Sequence, residues 1–207
     1  MKKFEIIEVP YRYAFEMNCD KRTLNIIDRI IIHHSAIQRS ADTSPLAIHS
    51  AHLRRGYSGI GYHFYIKADG TIYRGRPLCY IGAHCKGYNS KSIGICFEGN
   101  FEIEKPTNAQ KIAWQNLVDY LRKEIPTIKY FNYHKELFAT VCPGKNCTFT
   151  ELNNIKWEDE KKMFTDVKNA CEYLKSRVGL EQSTIDFLLC YKYGDDLILK
   201  LANSYQN

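Results

Sequence analysis

Tyr133-His134-Lys135-Glu136-Leu137-Phe138-Ala139-Thr140-Val141-Cys142-Pro143-Gly144 carries an imidazole and a thiol on one stretch that Pro143 and Gly144 force to turn. A histidine and a cysteine spaced this way on irregular backbone can close on one metal ion. Zinc suits them, being borderline-soft and content with mixed nitrogen and sulfur donors. Two ligands do not complete a site. Another part of the chain must fold back to supply at least one more.

The first source is upstream. Ile26 to Ile32 is a β-branched run broken only by Asp28 and Arg29, and it reads as a buried strand. His33 and His34 stand at its C-terminal end, where strands of α/β proteins deliver functional side chains. Neighbouring strand residues point to opposite faces, so only one of the two can face the ion, and the pattern alone does not choose. Taken singly, either is more simply a hydrogen-bonded histidine at a sheet edge. Set beside His134 and Cys142, the metal reading becomes the stronger one. A structural zinc knot built from Cys142 and Cys147 is the competing use of these thiols, with Cys79 and Cys85 as poorly spaced partners.

The remaining chain supplies the frame. Residues 1 to 25 read as a strand or loop packed on the domain. Thr43, Ser44 and Pro45 open a helix over Leu46 to Arg55 that Gly56 stops. Asp69-Gly70 lies between two short β-rich runs and predicts a hairpin. Ser92 to Glu98 is another strand. Thr107 caps a helix through Glu124, with Ile112, Leu117, Val118 and Leu121 at helical spacing and Pro126 beyond its end. Lys129 to Tyr133 is a last strand leading into the His134 loop, and Phe149 to Ile155 a closing helical turn or two. Strands interleaved with helices predict an α/β domain over residues 1–156, a mixed central β-sheet flanked by helices. Trp157 to Val178, Ser183 to Tyr193 and Asp195 to Ala202 predict a small C-terminal helical segment over residues 157–207.

Composition narrows the partners. The chain has 207 residues, 44% hydrophobic and 25% charged, as in ordinary globular proteins. Its net charge of +6 and pI near 8.8 suit an anionic partner, whether nucleic acid, membrane surface or a wall rich in anionic polymer. No apolar run approaches the ~18 residues of a membrane span. Glu5 and Glu8 interrupt the leader-like start before an apolar region forms, which predicts synthesis in the cytoplasm without a signal peptide. The eight cysteines are then expected to be free thiols or metal ligands.

Several ordered blocks carry a resemblance. Ile30-Ile-Ile-His33-His34-Ser-Ala36, Gly56-Tyr-Ser-Gly-Ile-Gly-Tyr-His-Phe64, Asp69-Gly-Thr-Ile-Tyr-Arg-Gly-Arg76, Gly82-Ala-His-Cys-Lys-Gly-Tyr-Asn89, Ser92-Ile-Gly-Ile-Cys-Phe-Glu-Gly-Asn100 and His134 to Gly144 follow one another. Together they resemble the zinc-dependent N-acetylmuramoyl-L-alanine amidases, the family of phage endolysins and peptidoglycan recognition proteins. The resemblance covers about residues 26 to 156 and is silent on the tail. It implies that His33 rather than His34 is the first ligand, that His134 and Cys142 complete a Zn2+ site, and that a fourth position stays open for water, the catalytic arrangement. It places Tyr62 and Thr140 beside the ion as catalytic residues, Thr140 where one phage member of the family has a lysine and the recognition proteins usually have threonine. His84 and Asn89 fall in a block that lines the substrate groove.

The departures sharpen the expectation. Cys96 and Cys142 replace the glutamate and aspartate of a related cytoplasmic branch acting on wall fragments, which favours a member that cuts intact wall. Cys96 itself is read as strand packing. Pro77 and Leu78 match neither pattern by which recognition proteins tell stem peptides apart. The expected function is hydrolysis of bacterial peptidoglycan between N-acetylmuramic acid and L-alanine by an endolysin or autolysin that reaches the wall after holin-type release or lysis. No nucleic-acid partner is expected. The rival is a recognition module that binds muropeptide without cutting it, and such relatives typically lose a ligand. Around Tyr191, Lys192 and Tyr193 the tail has a composition suited to anionic wall polymers.

Overall fold

A computed structural model describes residues 5–11, 19–41, 43–153, 167–189 and 194–205. The chain divides into two compact units, one over Phe4–Ile155 and one within Lys156–Asn207.

The larger unit is built on strands β1 (Ile6–Ile7), β2 (Arg29–His34), β3 (Phe64–Ile66), β4 (Ile72–Arg74), β5 (Ser92–Phe97) and β6 (Tyr130–Tyr133). They form one sheet in the order β1-β4-β3-β5-β2-β6. All neighbours run parallel except the β3–β4 hairpin, which turns at Asp69-Gly70. Gly70 takes φ +82° there, and Asp69 Oδ1 accepts the Thr71 N–H at 2.9 Å. The sheet is thus mixed, with helices around it.

Strand β2 begins at Arg29, three residues later than the apolar run suggests. Leu24–Ile26 forms a 3-10 turn instead, closed by the Ile27 N–H on the Leu24 carbonyl at 3.1 Å. A β-branched run cannot by itself distinguish a strand from the tight turn feeding it.

Helix α1 (Pro45–Arg54) starts as its sequence predicts, with Ser44 Oγ accepting the Ala47 N–H at 3.1 Å and proline in the first turn. Helix α2 (Asn108–Glu124) opens on a capping box in which Thr107 and Gln110 satisfy each other's backbone N–H. The Gln110 amide also donates to the Ile66 and Glu98 carbonyls, fastening the helix to the sheet. Ala113, Trp114, Leu117 and Leu121 bury α2 against Ile30, Ile32, Phe64, Ile66, Ile93, Ile95 and Phe97. The opposite sheet face carries Tyr65 and Cys96 with Ile48 and Ile60. Short helices α3 (His134–Leu137) and α4 (Phe149–Asn153) follow β6. Glu151 of α4 pairs with buried Lys111 of α2 at 2.7 Å.

The smaller unit contains α5 (Val167–Tyr173), continued by a wider π turn over Leu174–Val178, then α6 (Gln182–Leu189) and α7 (Gly194–Tyr205). Gly179, at φ +78°, ends the first of these in the left-handed conformation a side chain resists. Ala170, Leu174, Ile185, Ile198 and Ala202 form a core of their own. The expected helical stretch around Trp157 and the Tyr191-Lys192-Tyr193 segment lie outside the described residues. Among the described residues no helix is long and apolar enough to cross a membrane.

Candidate metal centre

Register decides between the two histidines of β2. His33 pairs with Cys96 and Ile31 with Gly94, so His33 shares the sheet face of Cys96. His34 points the other way, where its Nδ1 accepts the Phe101 N–H at 3.0 Å. Completely buried His33 meets the side chains of the late loop. Its ring centre is 4.5 Å from that of His134, and its Nδ1 is 3.7 Å from Cys142 Sγ. Donor atoms of His33, His134 and Cys142 all lie within 4.8 Å of one another, the one group of this kind among the described residues. Tetrahedral zinc with bonds of ~2.0 Å to nitrogen and ~2.3 Å to sulfur sets those two donors about 3.5 Å apart. The observed spacing fits. Cys147 is instead fully buried in the α2 core and belongs to no metal-type group among the described residues.

The loop holding Cys142 is pinned on several sides. The Lys135 N–H donates to the Cys142 carbonyl at 2.8 Å, and Thr140 Oγ1 accepts the Cys142 N–H at 3.2 Å. Beyond the cis Cys142–Pro143 bond, Gly144 has φ +96°, and a Cβ there would meet the Phe101 carbonyl carbon at 2.4 Å. Only glycine lets the loop lie this close to its neighbour. The Asn146 N–H reaches the Phe101 carbonyl at 2.9 Å from the next turn.

Burial governs the electrostatics. It pushes the Cys142 thiol up to about 12, against the pull of the His34 backbone N–H. It lowers the His33 and His134 imidazoles, and His33 is lowered further by the His84 ring. Both histidines are therefore neutral donors at pH 7, while the thiol must shed a proton to ligate. Tyr62 is raised well above the usual phenol range, first by burial and then by the neighbouring Cys96. It stays a protonated phenol. Its ring centre lies 5.0 Å from that of His33.

Three further histidines frame the site, and two had no assigned role in the sequence. One turn apart on α1, His49 Nδ1 accepts the Ile60 N–H at 3.1 Å and His52 Nδ1 the Gly61 N–H at 3.0 Å. They fix the segment that delivers Tyr62. Their spacing of three on one helix face was the available signal. His84 is also buried, with Nδ1 3.0 Å from His33 Nε2 and Nε2 3.3 Å from Ser92 Oγ. Asn89 Oδ1 accepts the N–H groups of His84 and Cys85 at 2.9 and 2.8 Å, holding that loop closed. Arg22 staples the same region, donating to the carbonyls of Leu78, Asn89, Ser90 and Ser92.

Burial lowers both His34 and His52 to about 4, which carries a stability consequence. The unfolded chain takes up protons near pH 6.5, while the folded chain resists until about pH 4. Stability is therefore full above pH 6.5 and falls steadily as pH drops toward 4. Urea midpoints at pH 7 and 4.5 should show a clear decrease on acidification. Equal midpoints would remove this account.

Residues 23–145 match the family described as N-acetylmuramoyl-L-alanine amidase. Peptidoglycan-recognition protein SC2 of Drosophila melanogaster is 35% identical over 130 residues, covering 59% of this chain and 71% of that protein. The endolysin of Escherichia phage T7 is 34% identical over 123 residues, 56% of this chain and 80% of the endolysin. Among solved structures, the N-acetylmuramoyl-L-alanine amidase LysC from Clostridium intestinale superposes with a TM-score of 0.64 at 38% identity, covering 72% of this chain and 94% of that one.

Proposed function

The chain belongs to the N-acetylmuramoyl-L-alanine amidase family and acts as a peptidoglycan amidase; we propose that it does so with zinc held by His33, His134 and Cys142. The convergence of those donors at the end of β2, at a spacing suited to zinc, carries this reading. Bound there, zinc would supply Lewis-acid polarisation of the scissile carbonyl and activation of the attacking water.

The remaining work falls to side chains. The scissile bond joins N-acetylmuramic acid to the L-alanine of the stem peptide. As its carbonyl becomes tetrahedral, the oxygen gains charge and needs donors already aimed at it. Tyr62, held protonated by burial, is one. Thr140 is the second: its oxygen already accepts the Cys142 N–H, which leaves the O–H to donate. A neutral hydroxyl contributes less than a lysine would at that position. Asn89 is the better placed of the two groove residues, since both its N–H bonds enter Oδ1 and its amide nitrogen remains to donate to substrate. His84 meets substrate only through its loop.

Endolysins among the relatives support action on the wall by a lytic enzyme of endolysin or autolysin type, released from the cytoplasm after holin-type permeabilisation or lysis. The basic charge suits a wall rich in anionic polymer, and the separate C-terminal core suits a wall-binding element. Purified walls should retain the full chain better than a chain ending at residue 156. Undiminished retention removes that role from the tail.

Mass spectrometry of digested walls tests the main reading. New N-terminal L-alanine, lost on chelation and restored by zinc, is the expected product signature. Binding to walls with no new amine would leave the recognition-module reading in its place.

A further inference from the structure

The ring of His84 packs directly against two glycines. A Cβ on Gly94 would lie 2.6 Å from its Cγ and Cδ2, and a Cβ on Gly82 would lie 2.5 Å from Cδ2. Gly82, just before the ring in sequence, and Gly94 on β5 thus leave a slot for it between β5 and the 82–85 loop. In that slot the ring stands edge-on to His33, with centroids 5.0 Å apart at 85°.

Hydrogen positions follow by elimination. Ser92 Oγ sits 2.7 Å from the Tyr88 carbonyl, an acceptor only, so the single hydroxyl proton of Ser92 goes there. Toward His84 the serine oxygen can then only accept. The 3.3 Å contact with His84 Nε2 is accordingly an Nε2–H donation. A neutral His84 with its proton on Nε2 has a bare Nδ1, which accepts from His33 Nε2 at 3.0 Å. His33 therefore keeps its proton on Nε2. Its Nδ1 is left with a free lone pair on the side of Cys142 Sγ.

We propose that His84 and Ser92 are positioning residues that lock His33 in the Nε2–H tautomer and so hold its Nδ1 lone pair ready for the metal. This rests on the zinc reading above. A histidine ligand whose far nitrogen is fixed by a hydrogen-bonded partner presents the correct tautomer and orientation without having to find them on binding. Here the partner is a second imidazole, itself oriented by a serine and finally by a backbone carbonyl. The series runs from the Tyr88 carbonyl to the metal-facing nitrogen with every proton assigned.

The test measures zinc affinity by chelator competition on the full chain, with no reference to wall hydrolysis. His84→Phe keeps a ring but offers no acceptor, and should weaken zinc binding by about 10- to 100-fold. His84→Asn places an amide oxygen near the position of Nδ1 and should recover most of that loss. Gly94→Ala removes no polar group but pushes the ring from its slot, and should weaken zinc in the same direction. In the metal-free parent, 15N shifts of the His33 ring should report a single Nε2–H tautomer, and His84→Phe should give a mixture. His84→Phe binding zinc within about threefold of the parent overturns the proposal. So does equal loss in His84→Phe and His84→Asn, which is the signature of packing alone, or an Nδ1–H tautomer in the parent. A parent with no zinc affinity overturns the zinc reading and this one together.

Discussion

Cys142→Ser should lose zinc and wall hydrolysis together, by more than the roughly 100-fold that loss of an outer-sphere partner costs. The serine hydroxyl is nearly isosteric but cannot become an anion near neutral pH, so the site forfeits its only charged donor. The thiol it replaces has its own signature. Because burial pushes Cys142 up to about 12, the metal-free site holds a thiol at pH 7 and must release that proton on ligation. Both imidazoles are lowered and already neutral, so they add no proton of their own above pH 6.5. The sign is then definite: zinc affinity of the parent should rise about tenfold per pH unit from pH 7 to 8, as expected for one released proton. Calorimetry in two buffers of different ionisation enthalpy should count close to one proton. Residual binding by the serine variant should lose this slope. A serine variant that retains zinc and activity at parental levels would falsify the ligand assignment.

The strands, the hairpin and both helix caps were legible because each depends on local chemistry. Ser44 before Pro45, Thr107 three residues before Gln110 and Asp69-Gly70 each satisfy or redirect nearby backbone, and the structure uses them so. The choice between His33 and His34 lay beyond local pattern. A period of two says the pair diverges, but not which face receives the ligand loop. That depends on the pairing of β2 with β5, and on α2 filling the other face with Trp114 and Leu117. His84 was harder to read. Its sequence neighbours suggest a groove, whereas its ring packs against glycines 82 and 94, and the latter lies on β5. A slot formed by missing side chains leaves no mark in hydropathy. The start of β2 was missed for a related reason: Ile26 and Ile27 are as β-branched as Ile30 to Ile32, yet the backbone there closes a turn.

Tyr62→Phe separates holding the metal from using it. The phenol is no ligand, so the variant should bind zinc as the parent does. Its loss should appear in kcat, by about 10²- to 10³-fold, the usual effect of removing one oxyanion donor, with KM little changed. A general base at this position would give a different result, since its removal would erase a break in the pH–rate profile. With Tyr62 raised well above the ordinary phenol range by burial, no such break belongs to it at neutral pH. The profile of the variant should therefore keep the parent's shape and only drop in height. A phenol O–H held beside the scissile carbonyl gains most once the carbonyl oxygen carries charge. Interaction with substrate therefore strengthens as charge builds, which is the condition for lowering a barrier rather than tightening ground-state binding. An unchanged kcat in the phenylalanine variant would take Tyr62 out of the reaction and leave Thr140 as the only hydroxyl donor proposed for the oxyanion.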